Sequence, residues 1–496
     1  MSSTTMLIIL ISYFLLLLLI SWYTSRGAGE ADYFLGNKKS PWYAVAFGMI
    51  GDSLSGVTFI SVPGAVGGQQ FSYLQLVFGY FFGYIVITQI LLPLYYKLNL
   101  TSIYSYLQQR FGDYSEKTGS FFFLLSRTLG AAGRLYLAAS VIQIFIFDDL
   151  KVPFEISVAV IIVLILLYTL RGGIKTLVWT DVFQSSMLLL GVVLSIMAIS
   201  QALNINFSEM VSKVYNSAYT ETFFWDWKEK SFFPKQFIGG MFIAIAMTGL
   251  DQNMMQKNLS CPNLKDAQKN IRWFSAVLIF VNIFFLALGA LLYIYCAEKG
   301  VSIPALANGK PNTDHLFPML ALEHLGLFAA VVFMIGLTAA TFSSADSVLT
   351  TLTTSVYVDV LHADKKTELN EKKRKRLRHV IHIGFAVILL IVILAFKAMN
   401  NDAIINTILA IAGYTYGPLL GLFSFGLFTK KIVNDKLVPI VCVIAPVLCY
   451  ILSMNSEKWL GGYKFGFELL LLNGVLTYVG LQFISRQSTV GSWTHR

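Results

Sequence analysis

The second hydrophobic segment of the chain reads, from Phe47 to Gly64, FGMIGDSLSGVTFISVPG. Glycine, serine and proline occur together in the middle of this otherwise apolar stretch, and they predict a helix that is broken at mid-span. Carbonyl and hydroxyl groups at such a break can coordinate a small cation or a polar substrate. Close helix packing also uses glycine and serine. Because packing does not require the carboxylate of Asp52, we favour a binding site.

The composition of the whole chain excludes a soluble enzyme or a soluble DNA-binding protein. Of its 496 residues, 56% are hydrophobic and 13% are charged, whereas a soluble protein carries about 25% charged residues. The sequence predicts an all-α polytopic membrane protein with about thirteen transmembrane helices. The apolar runs span residues 5–23, 42–66, 72–96, 119–147, 153–170, 176–203, 235–256, 271–296, 317–361, 380–399, 403–429, 437–454 and 465–484.

The basic residues predict the orientation of the chain in the membrane. The sequence has 37 Lys and Arg against 27 Asp and Glu, and most of the basic residues fall in alternate loops, including the loop 362–379. Basic loops mark the cytoplasmic side. We therefore expect a multi-pass protein of the cell inner (plasma) membrane, with its N-terminus outside and its C-terminus in the cytoplasm, and no nucleic-acid partner.

The ninth hydrophobic segment, residues 317–361, carries a stripe of polar groups. Four positions spaced i, i+3, i+4 and i+7 share one helix face, and they are Ala340, Ser343, Ser344 and Ser347. Oxygen ligands on one face suit a hard monovalent cation. Serine can also bond back to its own helix, which explains one serine better than the whole stripe. The segment is longer than one span requires, so we expect it to bend or leave the membrane at its ends.

Further charged residues lie inside apolar spans, where a charge is costly. Asp181 lies near the start of the sixth segment, where it either meets the helix dipole or is buried. Arg134 lies deep in the fourth segment, and Arg127 lies two turns earlier on the same face. A mid-membrane arginine either pairs with a carboxylate, for which Asp52 is the obvious candidate, or receives an anionic substrate.

Short motifs are spread over nearly the whole chain. They are Asp32-Tyr-Phe-Leu-Gly, Ser55-Gly56, Leu100-Thr-Ser-Ile-Tyr-Ser-Tyr-Leu-Gln-Gln-Arg110-Phe111, Gly172-Gly173 followed by Trp179-Thr180-Asp181 and Gln184, and Gly417-Pro418-Leu-Leu-Gly421-Leu-Phe423. In order and spacing they resemble the motifs of the sodium/solute symporter family, which includes bacterial sodium–proline, sodium–galactose and sodium–sialic acid symporters. The resemblance implies a sodium-coupled secondary active symporter that imports a small polar solute by alternating access.

The resemblance also implies the leucine-transporter-type inverted repeat of five plus five helices. A leading helix and cytoplasmic loop would occupy residues 1–41, and the first five-helix repeat residues 42–203. An external loop, 204–234, would precede the second repeat, 235–429. Two additional helices and a short cytoplasmic tail would occupy residues 430–496. We expect a monomer whose partners are its small-molecule substrate, sodium ions and the lipid bilayer.

By the same resemblance, sodium ions bind next to the broken helix. The main sodium site would use the carbonyls of Gly51, Leu54 and Ala340 and the hydroxyls of Ser343 and Ser344. Some members of the family have a second sodium site one turn deeper. Its possible ligands here are Asp181, Ser343, Asp346 and Ser347. The carboxylate of Asp346 departs from the family pattern, and it either strengthens this site or titrates and admits a proton.

The substrate positions of the family favour a small organic anion. They map to Ser53, Ser55, Thr58, Tyr73, Val77, Arg134, Asp251 and Gln252. Val77 is apolar where sugar- and sialic-acid-binding members are polar. Arg134 falls about one turn from the arginine that meets the substrate carboxylate in the sialic acid symporter. We expect a carboxylate or a sialic-acid-like sugar acid, with a neutral sugar or polyol as the alternative.

The sequence favours a transporter over two other classes of protein. A membrane sensor or channel-like protein on the same scaffold is the alternative, but the tail after Ser485 is too short for a folded output module. An enzyme is not expected, because the membrane segments carry neither a nucleophile–base pair nor an H-E-x-x-H pattern.

Overall fold

The first half of the protein is built almost entirely of helices. A computed structural model describes residues 3–27, 29–306, 309–399 and 404–487. The helices up to residue 202 are α1 (Ser3–Thr24), α2 (Glu30–Leu35), α3 (Trp42–Ser53), α4 (Gly56–Gln69), α5 (Tyr73–Val86), α6 (Leu92–Lys97), α7 (Ser105–Arg110), α8 (Asp113–Ile142) and α9 (Phe154–Ala202). Helices suit a bilayer, because each satisfies its own backbone hydrogen bonds.

The second half continues in the same way. Its helices are α10 (Phe207–Tyr215), α11 (Phe233–Ala244), α12 (Gln252–Leu259), α13 (Leu264–Lys299), α14 (Thr313–Met319), α15 (Gly326–Ser355), α16 (Glu371–Met399), α17 (Ile404–Phe428), α18 (Val438–Trp459) and α19 (Leu469–Phe483). Short π-helical turns occupy Ile87–Leu91, Gln143–Phe147, Ile245–Gly249, Leu320–His324 and Val356–Val360, and 3₁₀ turns occupy Gly36–Lys38 and Asp435–Leu437. Strand β1 (Ile432–Val433) pairs antiparallel with β2 (Ser485–Arg486).

The helices confirm a polytopic membrane architecture. Within the described residues, nine helices are long and apolar enough to cross a bilayer, and two bent helix pairs add two candidate spans. Two shorter apolar helices, Phe154–Leu170 and Leu469–Phe483, complete the set. Each hydrophobic run of the sequence coincides with one of these elements, whereas thirteen as the number of membrane crossings stays a prediction.

The break expected in the second hydrophobic segment is confirmed. Helix α3 ends at Ser53, α4 begins at Gly56, and the two helices meet at an angle of 58°. Leu54 leaves the helical region with φ −100° and ψ 77°, and Ser55 is extended. A Cβ atom at Gly56 would lie 3.1 Å from Oγ1 of Thr341, so glycine allows α4 to start close against α15.

A second broken helix, which the sequence analysis did not anticipate, lies in the seventh segment. The helical stretch Phe233–Gly249 is bent by 62° relative to α12. Oδ1 of Asp251 caps α12 by accepting a hydrogen bond from the Met254 amide at 3.1 Å, as short polar side chains do at helix starts. The two bent pairs begin the two expected repeats, 42–203 and 235–429.

The fifth and sixth segments follow each other directly in α9, which is kinked at Gly173. This residue has φ 52° and ψ −142°, a backbone conformation that side chains disfavour. A Cβ atom there would also lie 2.3 Å from the carbonyl oxygen of Tyr33. The glycine therefore separates two apolar stretches, Phe154–Leu170 and Gly172–Ala202, and allows the chain near Tyr33 to pack between them.

Helix α15 is the central helix of the protein. It contacts α1, α3, α4, α8, α9 and α12, and every residue from 336 to 355 is buried. The long ninth segment is not one continuous helix, because Leu325 separates the π turn that follows α14 from Gly326, which has φ 84°. The polar stripe of the ninth segment therefore faces protein rather than lipid.

Candidate functional site

The break between α3 and α4 lies directly against the polar stripe of α15. A Cβ atom at Gly51 would lie 3.0 Å from Oγ of Ser343 and 2.5 Å from Oγ of Ser185. Instead, the Gly51 amide donates a hydrogen bond to Oγ of Ser185 at 2.9 Å. Glycine at this position therefore allows α3 to touch α9 and α15 at once.

Oxygen atoms without hydrogen-bond donors collect at this contact. Because α3 ends at Ser53, the last carbonyls of its final turn have no intrahelical donor. The buried hydroxyl of Ser343 has no hydrogen-bond partner in the described part of the chain, which is costly unless a ligand is bound. The hydroxyl of Ser344 bonds back only weakly, to the Ala340 carbonyl at 3.4 Å. Hard oxygen ligands of this kind fit a sodium ion.

A lysine that the sequence analysis missed lies among the residues expected to bind a second sodium ion. Nζ of Lys257, on α12, forms ion pairs with Asp52 and with Asp181, the latter at 2.5 Å. It also donates a hydrogen bond to Oγ of Ser347 at 2.8 Å. The side chains of Lys257, Asp52 and Asp181 are at most 1% exposed. The ammonium group therefore has an acceptor for each of its three N–H bonds.

Asp346 lies beside this cluster with its own set of donors. Its Oδ2 atom accepts hydrogen bonds from the hydroxyl of Tyr168 at 2.9 Å and from the Gln184 amide at 3.4 Å. Its Oδ1 atom accepts one from the backbone amide of Ser347 at 2.5 Å. Three of the four possible ligands of the second sodium site, Asp181, Asp346 and Ser347, are thus connected through Lys257 and Ser347. The fourth, Ser343, faces Gly51 instead.

Of the two roles left open for Arg134, the pair with Asp52 is not formed, because Asp52 pairs with Lys257. Arg127 also has a carboxylate partner, since its Nε lies 2.6 Å from Oδ2 of Asp251. The hydroxyl of Tyr416 donates to the same carboxylate oxygen at 2.5 Å. Two of the carboxylates nearest to Arg134 are therefore already paired with other cations.

Arg134 itself has no ion pair or hydrogen bond among the residues that the structure describes. It is half-buried in the span formed by α8 and lies within electrostatic range of Tyr73, Asp52 and Asp251. A guanidinium group at membrane depth is costly unless something compensates its charge. Its surroundings therefore suit an anionic ligand.

The other predicted substrate residues differ in how accessible they are. Ser53 and Thr58 flank the break and are half-buried, as is Tyr73 on α5, whereas Ser55 in the break and Val77 on α5 are buried. The structure thus places these positions on the broken helix and on α5, with Tyr73 within electrostatic range of Arg134. Their contact with a substrate stays a prediction.

Gln252 and Asp251 have structural bonds in this arrangement. The side-chain oxygen of Gln252 accepts a hydrogen bond from the Ile103 amide at 2.9 Å, and its nitrogen donates to the Thr101 carbonyl at 3.0 Å. Asp251 caps α12 and pairs with Arg127. Both side chains therefore hold α12 against its neighbours, and their role as substrate ligands stays a prediction.

The sequence analysis missed Lys257 because the predicted apolar run, 235–256, ends one residue before it. A basic residue just beyond a span is usually a cytoplasmic flank. The available signal is the run Asp251-Gln-Asn-Met-Met-Gln-Lys-Asn, which is too polar for a lipid-facing helix, yet every residue in it is buried. Such a run directly after Gly249 indicates the second half of a broken helix.

The site combines three features: two broken helices around a buried central helix, oxygen ligands without donors at one break, and an arginine without a carboxylate partner among the described residues. Together these features define a membrane transporter of ions and solutes. Residues 33–436 match the family model described as sodium:solute symporter family. The chain therefore belongs to the sodium:solute symporter family, and the resemblance seen in its motifs is confirmed.

Relatives of known function resemble the chain over most of its length. The sodium/sialic acid symporter NanT of Aliivibrio fischeri is 28% identical over 469 residues, which cover 92% of this chain and 89% of the relative. The sodium/sialic acid symporter SiaT of Proteus mirabilis is 26% identical over 86% of this chain and 85% of its own. Human sodium-coupled monocarboxylate transporter 1 is 24% identical over 89% of this chain and 70% of its own.

Solved structures support the fold. A substrate-bound, outward-open structure of a Na⁺-coupled sialic acid symporter superposes with a TM-score of 0.81 and 22% identity, over 96% of this chain and 97% of the other. The nucleobase-cation-symport transporter Mhp1, in a closed conformation, superposes with a TM-score of 0.54 and 13% identity, over 92% and 96% of the two chains. The helices of this protein therefore have the arrangement of these transporters.

Proposed function

We propose that the protein is a sodium-coupled symporter that imports a small organic anion, such as a carboxylate or a sialic-acid-like sugar acid, with Arg134 as the group that receives the negative charge. Membership of the sodium:solute symporter family supports sodium as the coupling ion. The observation that carries the choice of an anion is the state of the three cations at the site: Lys257 and Arg127 have carboxylate partners, whereas Arg134 has none among the described residues.

Similar proteins point to the same class of substrate. The two bacterial relatives are named for sialic acid and the human relative for monocarboxylates, and all of these substrates are acids. Arginine binds a carboxylate through two parallel hydrogen bonds, which adds geometry to charge. A neutral sugar or polyol, the alternative, would leave the charge of Arg134 uncompensated.

The transport cycle follows from the position of the main sodium site. A sodium ion held by Gly51, Leu54, Ala340, Ser343 and Ser344 would join the broken helix of the first repeat, 42–203, to α15 of the second, 235–429. Rocking of one repeat against the other would break this contact and release the ion inside. Sodium and substrate drive the cycle only through their different affinities for the outward-open and inward-open states.

The membrane, the orientation and the oligomeric state of the protein are part of the proposed function. We expect it to act as a monomer in the cell inner (plasma) membrane, with its N-terminus outside and its C-terminus in the cytoplasm. The basic start of α16, residues 372–376, would then lie at the cytoplasmic surface, as positive residues prefer.

A thermal-shift screen of the purified protein tests the substrate class. Sialic acid, lactate, galactose and mannitol would each be added in sodium chloride and in potassium chloride. A ligand that binds the folded state raises the unfolding midpoint, so we expect at least one acid to raise it in sodium and not in potassium. Stabilisation by galactose or mannitol alone would favour the neutral alternative.

A further inference from the structure

We propose that the ammonium group of Lys257 takes the place of a second coupling sodium, so that the protein binds one sodium ion rather than two. This inference rests on the proposed sodium symport and goes beyond it, because it sets the number of ions. The carboxylates of Asp52 and Asp181 and the hydroxyl of Ser347 are cation ligands by chemistry. In this structure their shared cation belongs to the chain itself.

The ammonium group of Lys257 is fully bonded. A lysine ammonium has three N–H donors, and here they meet Asp52 on α3, Asp181 on α9 and Ser347 on α15. A sodium ion at the same point would have to displace a cation that is attached to α12. The attached group loses no translational freedom on binding, whereas a free ion does. The lysine therefore binds the two carboxylates at a lower entropic cost than a sodium ion would.

The charge of Lys257 also disfavours a second sodium ion in the cluster. Two carboxylates buried side by side repel each other unless a cation lies between them, and Lys257 supplies that cation. A sodium ion added beside the ammonium group would bring two like charges together in a medium of low dielectric constant. Asp346 does not reverse this, because its two oxygens accept hydrogen bonds from Tyr168, Gln184 and Ser347.

The ammonium group of Lys257 lies next to the main sodium site. Asp52 follows Gly51 in the chain, and Ser347 lies one turn beyond Ser343. The ammonium group is therefore the neighbour of the main site along both helices. It also links α12 to α3 and α9, so it holds together elements of the two expected repeats.

Two carboxylate oxygens of the cluster are open to a second cation. The Oδ1 atoms of Asp52 and Asp181 have no hydrogen-bond partner in the described residues. A sodium ion that used these atoms alongside the lysine would give two bound ions in the unaltered protein. Counting the ions therefore separates the two arrangements.

The experiment is equilibrium binding of ²²Na⁺ to the purified full-length protein, with sodium as the only probe. We expect about one ion per protein for the wild type and about two for Lys257→Ala, because the vacated carboxylates then bind an ion of their own. The double variant Lys257→Ala/Asp181→Asn should return to about one. Lys257→Gln is the second variant if Lys257→Ala does not fold, and it should also bind about two.

Lys235→Ala is the matched control. Lys235 is a buried lysine on α11, the other half of the same broken helix, but its ammonium group contacts backbone carbonyls and the ring of Tyr463 rather than a carboxylate. Its removal should leave the count at about one. Two ions on the wild type, or no gain in a folded Lys257 variant, would overturn the inference. No ion on the wild type would instead overturn the proposed sodium symport.

Discussion

The side chains of Arg127 and Asp251 form a buried ion pair, with Nε and Oδ2 2.6 Å apart. The pair joins α8 to the start of α12, which Asp251 caps. Together with the pairing of Asp52 and Lys257, it takes up two carboxylates within electrostatic range of Arg134. Arg134, which lies deeper in the span, has no carboxylate partner among the described residues.

Breaking the Arg127–Asp251 pair should destabilise the protein strongly. Removing one partner of a buried pair leaves an uncompensated charge, at a cost of about 3–5 kcal/mol. We expect Arg127→Met to lower the unfolding midpoint of the purified protein and Arg127→Met/Asp251→Leu to recover part of the loss. Lys397→Met, which breaks the exposed pair with Glu155, is the control and should change little. If Arg127→Met and Lys397→Met lowered the unfolding midpoint equally, the buried pair would have no special role in stability.

Removing two hydroxyl ligands should weaken the main sodium site. In Ser343→Ala/Ser344→Ala, we expect the sodium concentration for half-maximal binding to rise at least about tenfold, equivalent to about 1.4 kcal/mol. Ser456→Ala, which removes a back-bonded hydroxyl on α18, should have no effect. Isothermal ²²Na⁺ binding measures the change. A double variant that folds and keeps wild-type sodium affinity would show that these serines are not ligands.

Gly51→Ala should separate α3 from its neighbours. The added Cβ atom would lie 2.5 Å from Oγ of Ser185 and 3.0 Å from Oγ of Ser343, and overpacking of this kind costs about 1–3 kcal/mol. We expect lower thermal stability and weaker sodium binding, with partial rescue by Ser185→Gly. Gly384→Ala on α16 meets no atom within 4 Å and should be neutral or stabilising. A fully functional Gly51→Ala protein would exclude this close contact.

The proposed orientation can be tested with single cysteines. All four native cysteines are buried, so they should react slowly with a membrane-impermeant maleimide in intact cells. We expect Ser208→Cys, exposed on α10, to be labelled from outside, and Lys372→Cys, exposed at the start of α16, only after permeabilisation. The reverse labelling pattern would invert the topology.

The sequence allowed the first break to be predicted because it puts Gly51, Ser53, Ser55 and Gly56 inside an apolar run. Hydropathy does not distinguish a buried polar half-helix from the end of a span, so the break before α12 and the buried Lys257 were missed. Without Lys257, pairing with Asp52 also stayed open as a role for Arg134, although Asp52 pairs with the lysine. The partner of a buried carboxylate is the cation that lies nearest to it in the folded chain. Lys257 is 205 residues away from Asp52 in sequence, so no local sequence pattern indicates that the two side chains form a pair.

Uptake into proteoliposomes tests the central claim, a sodium-driven symport of an organic anion received by Arg134, most directly. Labelled sialic acid, lactate and galactose would be offered under an inward sodium gradient to the wild type, to Arg134→Lys and to Arg272→Lys, a control at an exposed position on α13. We predict sodium-dependent accumulation of at least one acid, reduced at least about tenfold by Arg134→Lys and unchanged by Arg272→Lys. Accumulation of galactose alone, or of the acid equally well in Arg134→Lys, would contradict the account.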